Sequence, residues 1–497
     1  MSSGPDGGQD LVALRSTHGR ALVAATALSS TVPFLGAYVV YVAVPAIGED
    51  LRSSAAGMQW VVTAYLLALA ALILIAGMLV DHVGRRPVLR LGLLVSVLSS
   101  VLCAVAPTTE TLVAARLLQG AGAALVVPSS LAMLNGTLLV ADRARGIGLW
   151  AGLATLGTTL GPFAAGWLVD QASWRYVFVL DVPLALAALW ALTRVPRVGS
   201  RRRRPSPDVA GGLLSVVGLA AVVWALATGP TRGWSDLGVV TAGPVGVLLL
   251  AALLPVERHQ RDPLLPVPLL RSRQLGAIDL ATLLLYGAVA AASYLVALQC
   301  QFSLGYSATA AGAALVPQSL VFLLLSPLVG SLVARTGARV LMVSGMAVTA
   351  AAFLWLSAVG PGDRYVAAVL PGALLWGIGL VLTVVPLTAA VLGAVQDSDL
   401  GAASALNDAA ARVGAVLVVA LVPALIGAGG RGLGAALAGG YQPAMAVMAA
   451  LGLGAALVTR AFVDDEAGDV PVLVPPPSVH CCPVPDRELL SPPSRLS

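Results

Sequence analysis

Apolar residues run along this chain in long unbroken stretches, and polar residues gather in the short segments between them. The stretches cover 21–44, 58–80, 88–105, 111–134, 146–167, 176–193, 209–227, 237–256, 275–298, 312–333, 340–358, 365–392, 402–426 and 441–458, fourteen in all. Each approaches the ~20 residues that a helix needs to cross the hydrocarbon of a bilayer. The runs are continuous and do not alternate, so they predict helices and exclude a spanning barrel of strands. Segment 196–208 holds Arg201, Arg202, Arg203 and Arg204 among prolines and reads as a linker between two halves. The tail 463–497 is proline-rich with acids at its start, and is expected to be a disordered cytoplasmic extension.

Composition turns this pattern into an exclusion. Of 497 residues, 58% are apolar and only 11% are charged, with a mean hydropathy of +0.90. A soluble domain carries about 25% charge, so a soluble enzyme is ruled out and an all-α integral membrane protein is left. All 29 basic residues are Arg. With the N-terminus in the cytoplasm, 23 Arg fall on that side, five fall on the other, and Arg116 lies within a run. The positive-inside rule favours this orientation and an even number of spans, which puts both termini in the cytoplasm and the chain in the cytoplasmic membrane. The net charge of +5 is accounted for in this way and calls for no nucleic acid. No cleavable leader is evident, and the first run is expected to act as its own insertion signal. Cys103, Cys300, Cys481 and Cys482 form no metal pattern with His. No phosphate loop and no nucleophile–base set appears. The chain is therefore expected to use no cofactor and no metal, and to act on a small molecule within a lipid bilayer.

One segment recurs. Gly77, Asp81, Gly84, Arg85 and Arg86 follow the second run, and Gly330, Gly337 and Arg339 follow the tenth with the same spacing between glycines. Both lie at the cytoplasmic end of the second helix of their half. Internal repeats of this kind are common in transporters, which place the substrate near mid-membrane between the halves. The spacing fits a cytoplasmic segment 1–20, a six-helix bundle 21–195, a basic linker with a two-helix insert 196–274, a second bundle 275–462 and the tail 463–497.

Three motifs carry chemistry. In the first, two glycines seven apart allow a tight turn, while Asp81 can pair with Arg85, Arg86 or a helix N-terminus to lock one conformation. In the second, Arg116 sits within an apolar run beside Gln119, Gly120 and Gly122. A charge there is costly and usually functional, although this one is near enough to the end to snorkel. In the third, Gly152, Gly157, Gly161, Pro162 and Gly166 give one helix a smooth face and a bend.

Together these motifs resemble the signatures of the major facilitator superfamily, and the third resembles its antiporter motif. Gln59-Trp60 through Tyr65, Trp174-Arg175 through Pro183, Gly379 through Pro386, and Gly401 through Asn407 are similar to the 14-helix drug:proton antiporter branch. The resemblance covers most of the chain. It implies two six-helix bundles plus a two-helix insert, alternating access, and a gating role for Gly77, Asp81, Gly84, Arg85 and Arg86. It also implies an acid on helix 1, followed by Asn. Here Gly36 and Tyr41 stand at those positions, and Asp181 replaces the usual Asn on helix 6.

The carboxylates within runs are Asp181, Asp279 and Asp408. Burial disfavours a charged carboxylate, which suits proton uptake and release. Asp181 falls at the depth of Gly36 and Arg116 and is expected to pair with Arg116 in place of the lost acid; it could equally cap a helix end. Asp279 precedes Tyr286 and Tyr294 on one helical face, a set suited to a lipophilic cation. Asp408 stands four before Arg412, an ordinary helical ion-pair spacing. The proton-coupling candidates are thus Asp181, Asp279, Asp408 and Arg116. The substrate-cavity candidates are Tyr38, Tyr41, Gln59, Tyr286, Tyr294 and Asn407. The expected activity is proton-coupled export of a lipophilic small molecule, a cation being one candidate. An uptake carrier or uncoupled facilitator, and a non-transporting membrane sensor, are the alternatives.

Overall fold

The computed structural model describes residues 11–196, 208–260, 269, 272–396, 399–429 and 432–464. The expected linker and tail lie almost wholly outside the described residues. Within them the chain is helical, with one isolated bridge between Val12 and Leu138. The helices are α1 (Thr17–Asp50), α2 (Ala55–Val83), α3 (Arg85–Ala104), α4 (Thr109–Thr137), α5 (Val140–Gln171), α6 (Arg175–Val179), α7 (Asp181–Thr193), α8 (Val209–Arg232), α9 (Leu237–Glu257), α10 (Arg273–Phe302), α11 (Ala308–Ala314), α12 (Val316–Thr336), α13 (Ala338–Ser357), α14 (Tyr365–Gly393), α15 (Leu400–Leu425) and α16 (Leu433–Phe462).

Each of the fourteen expected runs coincides with one helix or with a broken pair. Thirteen spans among the described residues are long and apolar enough to cross a membrane. The remaining one, α5, has 32 residues, more than enough length at ~1.5 Å per residue. Its ends carry Asp142, Arg143, Arg145 and Asp170, and glycine and threonine dilute its middle.

Two runs expected to be continuous are broken. α11 stops at Ala314, and α12 restarts with Pro317 in its first turn. A proline there lacks the N–H that would tie the two together. Leu180 separates α6 from α7, where Pro183 removes the bond back to Val179.

The first and last described residues meet one end of the bundle, here called the near end. Val12 pairs with the end of α4, His18 meets the Arg194 carbonyl, and Gln274 reaches the Asp464 carbonyl. Helices α1–α7 form one bundle and α10–α16 another. α8 lies along α2 and α15, beside the seam between the bundles, with α9 packed on it.

In lipid, small residues let helices approach where apolar contact alone gives little drive. The two bundles use this in equivalent places. A Cβ on Gly122 of α4 would press on the Gly92 carbonyl of α3, and one on Gly379 of α14 would press on the Gly345 carbonyl of α13. The repeat seen in sequence is also a backbone repeat. Gly84, between α2 and α3, has φ 103° and ψ 151°, and Gly337, between α12 and α13, has φ 79° and ψ 162°. L side chains rarely adopt that conformation.

Candidate functional site

The bundles are closed against each other at the far end, and three contacts carry the closure. α5 packs on α11 so tightly that a Cβ on Gly166 would overlap the Ala308 carbonyl, and one on Gly312 would overlap the Pro162 carbonyl. Two other glycines of this motif face α1, with Gly157 on Thr31 and Gly161 on Leu35, while Gly152 faces open space. One turn beyond Gly166, the Asp170 carboxylate accepts hydrogen bonds from the Ala308 N–H (3.1 Å), the Thr309 N–H (2.8 Å) and the Thr309 hydroxyl (2.6 Å). Second, Gln59 of α2 donates to the Val419 carbonyl of α15 at 2.7 Å. Third, Tyr41 of α1 meets Tyr294 of α10, ring centroids 5.3 Å apart.

Beneath this closure, from mid-depth toward the near end, lies a cavity of about 280 Å³ between α1, α2, α10, α14 and α15. Tyr38, Tyr41, Tyr286 and Asn407, all expected there, line it together with Phe34, Asp408 and Arg412. Gln59 and Tyr294 do not line it. Both are buried in the closed seam, where their polar reach and ring bulk join the bundles. Asp408 and Arg412 form the expected ion pair at 3.2 Å, and the guanidinium stacks over Phe34, 5.0 Å from its centroid. Asp279 is absent from the lining residues. It stands behind Asn407, whose amide donates to Asp279 Oδ1 (2.9 Å) and to the Thr282 hydroxyl (2.8 Å). The face shared by Asp279, Tyr286 and Tyr294 is therefore split among a back wall, the cavity and the seam.

Asp181 is buried to 2% exposure, although it belongs to an outer helix pair. The gap left by Gly36 admits it, since Asp181 Oδ2 lies 3.4 Å from where a Cβ on Gly36 would be. Arg116 is wholly buried rather than snorkelling, with its guanidinium 4.3 Å from the centroid of Tyr65. It donates to the carbonyls of Val61 and Gly36, each at 3.0 Å, and to Gln119 Oε1 at 2.7 Å. The expected direct pair between Asp181 and Arg116 is not made. Gln119 stands between them and donates to Asp181 Oδ2 at 3.0 Å, since its side chain is a donor and an acceptor at once. Asp181 Oδ1 and Arg116 Nη2 remain buried with no hydrogen-bond partner. Such orphans are costly in an apolar interior.

The gating motif sits at the near end. Gly77 faces open space, and Asp81 lies on the exposed side of the last turn of α2. Arg85 lies over Gly136, where a Cβ would overlap its guanidinium, and donates to the Ala132 carbonyl at 3.0 Å. Arg86 donates to the carbonyls of Val195 (2.8 Å) and Leu192 (2.9 Å) at the end of α7. Both arginines thus tie helix C-termini within their own bundle. Sequence patterning singled out neither Asp170 nor Phe34. An acid at a helix end and an aromatic in an apolar run carry no signal of a cross-bundle partner.

Two helical bundles closed at one end over a polar-lined cavity define a polytopic membrane carrier. The family model described as Major Facilitator Superfamily matches residues 26–273, and the chain belongs to that superfamily. Among relatives, it is 32% identical over 406 residues to "Multidrug resistance protein Stp" of Mycobacterium tuberculosis, covering 81% of this chain and 75% of that protein. It is 34% identical over 426 residues to "Cephamycin export protein CmcT" of Amycolatopsis lactamdurans, covering 84% and 87%. It is also 34% identical to "Puromycin resistance protein pur8" of Streptomyces alboniger, covering 77% of each. Among solved structures, a peptide transporter POT in complex with sulfate matches with a TM-score of 0.68 at 15% identity, over 90% of this chain and 96% of that one. The inward open xylose transporter XylE from E. coli matches with a TM-score of 0.61 at 13% identity, over 90% and 97%. These last two show the shared fold.

Proposed function

We propose that this protein exports a lipophilic drug- or antibiotic-like molecule across the cytoplasmic membrane by alternating access, in exchange for protons, with Asp181 as the proton carrier. The export direction rests on relatives named for multidrug resistance, cephamycin export and puromycin resistance, and on the resemblance of the Gly161-Pro162 helix to the antiporter motif. With the near end taken as cytoplasmic, as the Arg distribution favours, the cavity lies toward the compartment from which an exporter loads.

The observation that carries the proton assignment is the Asp181 carboxyl standing 3.4 Å from the Cβ position of Gly36. The acid that the resemblance implies on helix 1 is here delivered from α7 into the same space, and Gln119 relays it to Arg116. The Gln119–Arg116 chain holds the charged form of Asp181, and the neutral form needs no such counter-charge. A small change in water access then moves the proton. The test is proton-gradient-driven uptake of a fluorescent lipophilic aromatic substrate into inverted membrane vesicles. Asp181→Asn is expected to abolish the dependence on the gradient. Adding Gly36→Asp to Asp181→Asn, which moves the acid to α1, is expected to restore it in part. Unchanged gradient dependence in Asp181→Asn overturns the assignment.

A further inference from the structure

The cavity offers unused hydrogen-bond donors. Arg412 Nε is buried with no hydrogen-bond partner, and so is the Tyr41 hydroxyl. Both residues line the cavity, and Tyr38 and Tyr286 stand within electrostatic range of the same guanidinium. The negative charge nearest the ligand space, Asp408, is already engaged through Oδ1 with Arg412 Nη2 at 3.2 Å. The other acid in this region, Asp279, is shielded by Asn407, whose amide donors both point away to Asp279 and Thr282. The cavity is therefore lined by a half-used guanidinium paired with Asp408, by phenol and Ser404 and Thr388 hydroxyls, and by aromatic faces.

A ligand cation entering this space would meet Arg412 beside it, with Asp408 engaged by that guanidinium and the unpartnered Oδ2 of Asp279 set behind Asn407. A planar ligand bearing a carboxylate, phenolate or enolate would satisfy the orphaned donors, and its ring would lie against Phe34, Tyr38 and Tyr286. An arginine fork holds such an anion better than a point charge does. We infer that the cavity selects aromatic, weakly acidic substrates, with Arg412 as the specificity-determining residue and Asp408 as the counter-ion that the substrate anion displaces. The inference rests on the export reading for its physiological meaning, but the recognition itself needs no gradient.

The experiment therefore measures binding to the full-length protein in detergent by isothermal titration, with three probes of one shape: naphthoate, neutral naphthamide and naphthyltrimethylammonium. Naphthoate is expected to bind at least tenfold more tightly than either of the others. Arg412→Gln should cost naphthoate about ten- to a hundredfold and naphthamide much less, because hydrogen bonds to charged groups are the stronger ones. Arg412→Gln could fail to fold, so Asp408→Asn provides the second arm. By releasing Arg412 it should tighten naphthoate several-fold, whereas a cation site would weaken for naphthyltrimethylammonium. Preference for the ammonium probe, or weaker naphthoate binding in Asp408→Asn, overturns the inference. Binding in the expected order with no gradient-driven transport would instead count against the export reading alone.

Discussion

Asp170 closes the far end with one carboxylate, and removing it should open that end. Its two oxygens take hydrogen bonds from the Ala308 N–H, the Thr309 N–H and the Thr309 hydroxyl, all in the other bundle. A buried hydrogen bond to a charged group is worth about 1.5–3 kcal/mol. This site is wet, so solvent screening reduces each bond to about 0.5 kcal/mol. The three together then favour the far-closed state by roughly 1.5 kcal/mol, about a tenfold bias in population. The Asp170→Ala variant should shift that population about tenfold toward the far-open state. Thr309→Val, which keeps the Thr309 N–H, should shift it only two- to threefold, the share of one such bond. The assay is pulsed electron-spin distance measurement between labels at Glu49 and Arg364, exposed positions at the far end of opposite bundles, in a background without native cysteines. An unchanged distance distribution in Asp170→Ala would refute the reasoning and leave the glycine-packed helices as the whole of the seal.

Three further outcomes follow from the same geometry. Gly312→Val places a branched side chain on the Pro162 carbonyl, and overpacking of about 1–3 kcal/mol should hold the far end open in the same label pair and slow export. Ala at Gly84 or at Gly337 forces a residue with a Cβ to a φ near 103° or 79°. Each should lower thermal stability by about 1–2 kcal/mol, read as a drop in melting temperature in detergent, and equal losses would support the repeat. Gln119→Leu removes the relay between Arg116 and Asp181 while keeping the side-chain bulk. It strands Asp181 Oδ2, should cost about 1–3 kcal/mol of stability, and should flatten the pH dependence of export in vesicles; an unaltered pH profile would argue against the relay.

The unevenness of what was readable beforehand has a physical origin. The run 21–44 announces α1 because hydrocarbon demands an uninterrupted apolar helix whatever its neighbours are. Gly84 and Gly337 announce a repeat because a positive φ is a local requirement. Arg116 announced itself as functional because a charge there is costly wherever it points. Its partner could not be named from depth alone. Counting residues from the membrane surface put Asp181, Gly36 and Arg116 at one level, but it could not say that Gln119 would stand between the charges. Helical spacing and family resemblance grouped Gln59 and Tyr294 with Tyr41 and Tyr286 as cavity candidates. A difference of two helical turns and a rotation about the helix axis separates seam from cavity.

By itself, then, the sequence determined the membrane-spanning architecture, the two-fold repeat and the short roll of polar residues within the spans. Each of these follows from the cost of exposing polar or strained groups to lipid, which is a local property. Only the tertiary structure decided which polar residues meet. It put the Asp181 carboxyl in the gap at Gly36, set Asp170 across the seam on Thr309, and turned Arg412 rather than Asp279 toward the cavity. Those pairings join residues far apart in the chain, and they depend on how the helices pack and rotate against one another.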